Sequence, residues 1–147
     1  MSGMLDGKVA IITGGAGGIG SRIAQAYVGA GARVVVASRS QEKLDDVIQK
    51  LSASDGKALA VATDVTVPRD VENMVEKTIA AFGRIDVLVN NAGGAMFVKP
   101  PEKLRPEEWN AAIALNLTSV FLCSQAVSQH MMDQGGGRIV NISSVAG

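Results

Sequence analysis

The strongest constraint on this chain is an alternation. Short, almost wholly apolar runs rich in β-branched residues are separated by stretches whose apolar residues recur at helical spacing. Lys8 to Thr13 (KVAIIT) and Arg33 to Ser38 (RVVVAS) read as the first two strands, with Ile19, Ile23, Tyr27 and Ala30 marking the helix between them and Gly29 to Gly31 stopping it. Leu44, Val47, Ile48 and Leu51 mark a second helix, Lys57 to Thr63 a third strand, and Val71, Val75, Ile79 and Phe82 a third helix bracketed by Pro68 and Gly83. Asp86 to Asn90 (DVLVN) is strand four. A long helix runs from about Pro106 to the glycines at Gly135 to Gly137, with Trp109, Ile113, Leu117, Val120, Ser124 and Val127 on one face. Arg138 to Ile142 (RIVNI) is strand five.

Strands without polar alternation are buried on both faces, and strands joined through helices are parallel. Right-handed crossovers then leave few topologies. The expected fold is α/β, a doubly wound parallel sheet of the Rossmann type with strand order 3-2-1-4-5, cut short after strand five, and residues 1–147 form one dinucleotide-binding domain. Ligands of such sheets bind beyond the carboxyl ends of the strands, where strand order reverses between strands one and four.

Composition narrows the partners. Fourteen basic residues balance fourteen acidic ones, so no electrostatic footprint points to nucleic acid or to an anionic membrane. Cys123 is the only cysteine, which excludes a disulfide framework or a cysteine-based metal site within one chain and suggests a reducing compartment. Met1 to Lys8 lacks the apolar core of a signal peptide, and no apolar run reads as a membrane span. The expectation is a cytoplasmic protein with no metal, no nucleic acid and no membrane.

After strand one comes Thr13 to Gly20 (TGGAGGIG), opening into a helix. Gly15, Gly17 and Gly20 satisfy G-x-G-x-x-G, while Thr13, Gly14, Gly18 and Gly20 satisfy T-G-x-x-x-G-x-G. Either parse lets the backbone turn tightly against a pyrophosphate, whose charge the free N–H groups of the helix start would hold. At the end of strand two, an acid would accept from the ribose 2′-hydroxyl of NAD. Ser38 and Arg39 stand there instead, and a guanidinium pairs a 2′-phosphate, so NADP(H) is favoured over NAD(H).

Strand four ends in Asn90-Asn91-Ala92-Gly93, and N-N-A-G together with T-G-x-x-x-G-x-G closely resembles the short-chain dehydrogenase/reductase family, including its 3-oxoacyl-thioester reductases. Asp64-Val65 after strand three and Asn141 to Gly147 (NISSVAG) after strand five match in register. The resemblance implies that Gly14, Gly18, Ile19 and Gly20 hold the pyrophosphate, Ser38 and Arg39 the adenosine phosphate, and Asp64 and Val65 the adenine. It places Asn90, Ala92 and Gly93 at the ribose and as a brace of the sheet. Ser144 would hydrogen-bond the substrate carbonyl, with Ser143 its rival within the motif. Asn116 would belong to the catalytic set by holding a proton-relay water, the alternative being a core Asn that caps strand backbone. Many NADP-preferring relatives carry a basic residue where this chain has Gly17.

The family completes its site with a Tyr-x-x-x-Lys pair on the helix after the serine. This sequence lacks such a pair, and its one tyrosine, Tyr27, lies on the first helix. Two expectations follow. In one, the chain is a stretch of an NADP(H)-dependent reductase of ketones or acyl thioesters, inactive alone, whose full-length parent forms a homo-oligomer; in the other it is a non-catalytic NADP(H)-binding module ending at Gly147. The first is preferred, because ending there leaves strand five as an open edge. The apolar segment Gly94 to Pro101 is expected to form one wall of a carbonyl pocket taking a small-molecule ketone or alcohol.

Overall fold

The computed structural model describes residues 3–51 and 57–145. Five strands, β1 (Val9–Thr13), β2 (Arg33–Ser38), β3 (Ala58–Ala62), β4 (Val87–Asn90) and β5 (Arg138–Asn141), pair in parallel in the order β3-β2-β1-β4-β5. Strand order is as the alternation predicts, and each strand lies within a residue or so of its expected bounds.

Helices α1 (Gly18–Gly29) and α2 (Gln41–Leu51) cover one face, packing Ala24, Val28, Leu44 and Val47 against Ala10, Ile12, Val34 and Val36. The other face carries α3 (Pro68–Phe82) and α5 (Ser119–Asp133), which set Met74, Val75, Cys123 and Val127 against Ile11, Val35 and Leu88. Successive residues of β1 and β2 thus serve opposite faces, as the period-two pleat dictates.

Two helical faces differ from their expected stripes. On α1 the buried line is Gly20, Ala24 and Val28, with Ile19 left 63% exposed. The helix starts so close to the glycine turn that only small residues fit beneath it. A Cβ on Gly20 would stand 2.2 Å from the Gly14 carbonyl oxygen.

The expected long helix is broken in phase. Helix α4 (Pro106–Ile113) passes through a π-turn at Ala114–Thr118 before α5 begins. A π-turn inserts one residue into the helical repeat and rotates everything beyond it. The core-facing line of α5 is Ser119, Cys123, Val127 and Met131, whereas Trp109 (57%) and Leu117 (63%) of the expected face are exposed.

This helical stretch, Pro106–Asp133, also corrects the expectation about apolar runs. Its 28 residues, with a window of mean hydropathy 1.5, meet the length and composition of a membrane span. In the fold it is a sheet-covering helix, one stripe of which is buried against β4 and α3.

At the amino ends of the strands the structure is closed by Asp86, which lies just before β4 and is buried. Its carboxylate accepts from Val9 N–H (2.9 Å) and, in a fork, from Arg84 Nε and a terminal guanidinium nitrogen (2.8 and 2.7 Å). Lys8 adds an ammonium at 3.6 Å. Burial alone would raise the Asp86 pKa, but the Arg84 hydrogen bonds, the Val9 N–H and the two cations outweigh it and hold the carboxyl below its ordinary value. Beside it, the Gln134 side chain donates to the Ile85 carbonyl (2.6 Å) and accepts from Ile85 N–H (3.2 Å), tying the end of α5 to the same edge.

Candidate functional site

The carboxyl ends of β1 and β4 diverge at the strand-order switch, and the two sequence motifs meet there as one object. Thr13 ends β1 fully buried, and its hydroxyl oxygen accepts from both Asn91 N–H and Ala92 N–H (3.1 Å each) while it reaches the Val89 carbonyl at 3.4 Å. Asn91 returns the contact, its amide donating to the Gly14 carbonyl at 3.1 Å. Neither residue was among the expected site residues. Their signal was present in the motif letters, but the partners lie nearly eighty positions apart.

This packing settles the two glycine parses. Gly14 (φ +62°) and Gly18 (φ +53°) adopt the left-handed backbone that favours glycine. A Cβ on Gly14 would come to 3.0 Å from Ala92 Cα, and one on Gly20 would collide with the Gly14 carbonyl. Gly17 is extended and its position open, so the left-handed turn is made by glycines of T-G-x-x-x-G-x-G. Gly15 is constrained by packing, a Cβ there falling 2.9 Å from both the Ile12 carbonyl oxygen and Val36 Cβ.

Helix α1 then begins with no side-chain cap and no acid in its first turn. Its orphan N–H groups and the positive end of its dipole face the turn, the arrangement that holds an anion. The residues present fit a pyrophosphate: Gly14, Gly18 and Gly20 would allow close backbone approach, and the exposed Ile19 stands in the same first turn.

Two cavities open along this edge. One of about 790 Å³ is lined by Gly14, Ile19, Asn90, Asn116, Ser143 and Ser144 among others. The second, of about 180 Å³, is lined by Ser38, Arg39, Thr63, Asp64, Val65 and Leu115. Gly14, Ala92 and Gly93 line both, so the two form one trough over the ends of β2, β1, β4 and β5. Every expected site residue except Gly18 and Gly20 lines this trough; Gly20 is buried beneath the turn, and the exposed Gly18 lines the cavity between α1 and α2.

At the smaller end, Asp64 Oδ1 accepts from the Thr66 hydroxyl (2.6 Å) and Thr66 N–H (2.9 Å), while Asp70 accepts from Asp64 N–H (2.8 Å). The Thr66 hydroxyl is the main cause of the lowered Asp64 pKa; burial opposes it, and the Thr66 N–H and the charge of Arg39 add to it. Val65 is buried and belongs to the core as well as to the cavity wall.

Toward the larger end, Asn90 braces the sheet, as expected: its amide donates to Asn141 Oδ1 (2.9 Å) and to the Ser124 hydroxyl (3.3 Å), joining β4 to β5 and α5. Asn116 sits within the π-turn and is exposed, not a core residue. Its carbonyl oxygen accepts from Gly94 N–H (2.8 Å), and its amide donates to the carbonyls of Gly94 (3.1 Å) and Ala112 (3.0 Å). The side chain thus clips the start of the Gly94 to Pro101 segment to the helix, with both amide protons engaged.

That segment is anchored again at its far end. Glu108, buried in the first turn of α4, accepts from Lys99 Nζ (2.5 Å), Arg105 N–H (3.0 Å) and the Arg105 guanidinium (3.4 Å). The Arg105 N–H is the main cause that brings the Glu108 pKa down to about 2, with the Lys99 hydrogen bond next, against the opposing effect of burial. Gly94 and Ala95 line the larger cavity, while Val98 stands exposed.

Among the described residues no group of three or more His, Cys, Asp and Glu side chains is placed to hold a metal. Cys123 is buried within α5, and burial pushes its thiol pKa up to about 11, which disfavours the thiolate that nucleophilic chemistry requires.

Comparison with known proteins agrees with this geometry. The short chain dehydrogenase family profile matches residues 8–147. A 3-oxoacyl-[acyl-carrier-protein] reductase from Synechocystis sp. is 42% identical over 97% of this chain and 58% of its own length. A metagenomic short-chain oxidoreductase solved in complex with NADP superposes with a TM-score of 0.90 at 40% identity, covering 96% of this chain and 64% of that one. A 7α-hydroxysteroid dehydrogenase solved with NADH and 7-oxo glycochenodeoxycholic acid gives a TM-score of 0.91 at 37% identity, over 97% and 55% of the two chains. The chain spans little more than half the length of the curated relatives it matches, 54% to 58%.

Proposed function

This chain belongs to the short-chain dehydrogenase family, and from that premise we propose that it forms the dinucleotide-binding half of an NADP(H)-dependent oxidoreductase interconverting a ketone and a secondary alcohol. The observation that carries the reading is the continuous trough from Arg39 and Asp64, past the glycine turn, to Asn116 and Ser144. Such a trough suits an extended dinucleotide, with the reacting end beside Ser144.

In this reading Arg39 pairs the 2′-phosphate, Asp64 offers Oδ2 to the adenine amino group, and the start of α1 takes the pyrophosphate. The bound nicotinamide supplies the hydride. Ser144 donates its hydroxyl to the substrate carbonyl oxygen, with Ser143 beside it on the same wall, and Asn116 fixes the helix against Gly94. Gly94 and Ala95 at the cavity wall leave room for an apolar carbonyl substrate, and the 3-oxoacyl-[acyl-carrier-protein] reductase among the relatives fits that class. The proton donor belongs to sequence outside this chain, so 1–147 alone is inactive as a reductase. A reducing, cytoplasmic setting suits the single buried thiol.

The test is nucleotide titration of the chain with NADPH and NADH, alongside Arg39→Asp. NADPH is expected to bind at least about tenfold more tightly than NADH, as one charge-assisted pair supplies, and Arg39→Asp is expected to abolish the difference. Equal affinities in the unsubstituted chain would refute the NADP(H) assignment.

A further inference from the structure

A 2′-phosphate carries nearly two negative charges near neutral pH, and Arg39 answers with one. Gly17 contributes no cation from the glycine turn. A Cβ built there would meet nothing within 4 Å, so the space beside it is open.

A third cavity, of about 430 Å³, occupies that side. It lies between α1 and α2, and its walls include Ala16, Gly17 and Gly18 on one side and Lys43, Asp46 and Lys50 on the other. Lys43 is the third residue of α2 and is exposed. A cation in the first turn of a helix faces the positive end of the helix dipole, where an acid such as Glu42 is the favourable choice. Among the described residues no ion pair engages the Lys43 ammonium. Asp45, one residue behind Asp46, accepts from Gln41.

Lys43 is also fixed relative to Arg39. The hydroxyl of Ser40, the residue after Arg39, accepts from Lys43 N–H at 3.4 Å and so joins the end of β2 to the first turn of α2. Arg39 stands on the adenine side of that turn and Lys43 on the glycine-turn side.

We propose that Lys43 is a second specificity-determining cation for the nucleotide 2′-phosphate, reaching it across the open face of Gly17 while Arg39 holds it from the adenine side. This rests on the NADP(H) reading and adds to it a residue that none of the sequence motifs contains. A lysine suits the task as a mobile point charge approaching from helical distance, where the planar fork of Arg39 fixes orientation. Asp46 and Lys50, on the same wall of the cavity, carry opposite charges, which leaves Lys43 beside Gly17 as the cation nearest the start of α2.

The experiment is titration calorimetry on the full chain with NADPH, NADH, 2′,5′-ADP and inorganic phosphate, for the unsubstituted protein, Lys43→Gln and Lys43→Arg. Lys43→Gln is expected to weaken NADPH and 2′,5′-ADP about tenfold, in line with one charged hydrogen bond, and to leave NADH unchanged. Lys43→Arg is expected to restore most of the loss, and the Lys43 contribution should shrink as salt is raised. An equal loss for NADPH and NADH would make Lys43 structural and overturn the proposal. So would an unchanged NADPH affinity, or a loss confined to inorganic phosphate, which would make the cavity a general anion groove. A failure of the NADP(H) reading looks different: the unsubstituted chain itself would then show no preference for NADPH.

Discussion

At the amino ends of the strands, Asp86 pairs with Arg84 and Lys8 and accepts from Val9 N–H, while Gln134 bonds both backbone groups of Ile85. At the carboxyl ends the same strands terminate in glycines, an uncapped helix and a trough, with orphan N–H groups facing outward. The same sheet therefore carries one edge whose polar groups are spent on the fold and another whose polar groups are held in reserve. Among the described residues no buried side-chain nitrogen or oxygen lacks a partner, so the reserve lies at the surface in backbone N–H groups. The lesson is a division of labour. Stability is concentrated where no ligand can reach, which leaves the other edge free to keep unsatisfied donors without unfolding.

Substitution at each end should separate these roles. The largest effect is expected for Asp86→Ala, which strands the Val9 N–H and two cations. It should cost about 3 kcal/mol, a fall of roughly 10 °C in Tm for a chain of this size, read by thermal unfolding. NADPH affinity of the folded protein should be unchanged, and a variant that lost affinity instead of stability would break the division. Next comes Gly20→Ala at the opposite edge. Alanine is the better helix former, yet its Cβ would collide with the Gly14 carbonyl. Overpacking of about 2 kcal/mol, expressed in the pyrophosphate cradle, corresponds to a loss of about 30-fold in nucleotide affinity. Tighter binding by Gly20→Ala would mean that the turn is not the cradle.

The smallest effect concerns a closed ionic contact on the carboxyl side, that of Glu108 with Lys99 and Arg105. Its folded pKa, about 2, lies below its ordinary value of 4.5, so its contribution is complete above about pH 4.5 and is lost as the pH falls toward 2. Asp86, also depressed, loses its contribution in the same direction. The stability difference between the unsubstituted chain and Glu108→Gln should therefore be constant above about pH 4.5 and shrink as the pH falls below it, with the variant showing the shallower acid dependence. A difference that stayed constant down to about pH 2 would contradict the assigned ionisation.

The expected residues fared differently according to how local their signal was. The β-branched runs and glycine punctuation located all five strands, because burial on both faces leaves a uniform apolar composition in a short window. The site residues came into view through two motifs, and the structure gathers them along one trough. What could not be read was Thr13 as the clasp between those motifs, or Glu108 and Asp86 as buried carboxylates, since each depends on a partner chosen by the fold. Trp109 and Leu117 show the same limit in the apolar direction. They fit the expected helical stripe with Val127, yet only Val127 of the three is buried, because the π-turn at Ala114–Thr118 changes the phase of the helix and the core-facing line of α5 is Ser119, Cys123, Val127 and Met131.

By itself, then, the sequence determined the alternation of elements, the parallel order of the sheet and the edge at which a ligand would sit, all of which follow from local pattern and the handedness of crossovers. Tertiary structure alone decided the phase of each helix against the sheet, which glycines are constrained, and which polar groups are spent or spare. Those depend on distances between residues up to 79 positions apart, and such distances are set only when the strands pair and the helices close over them.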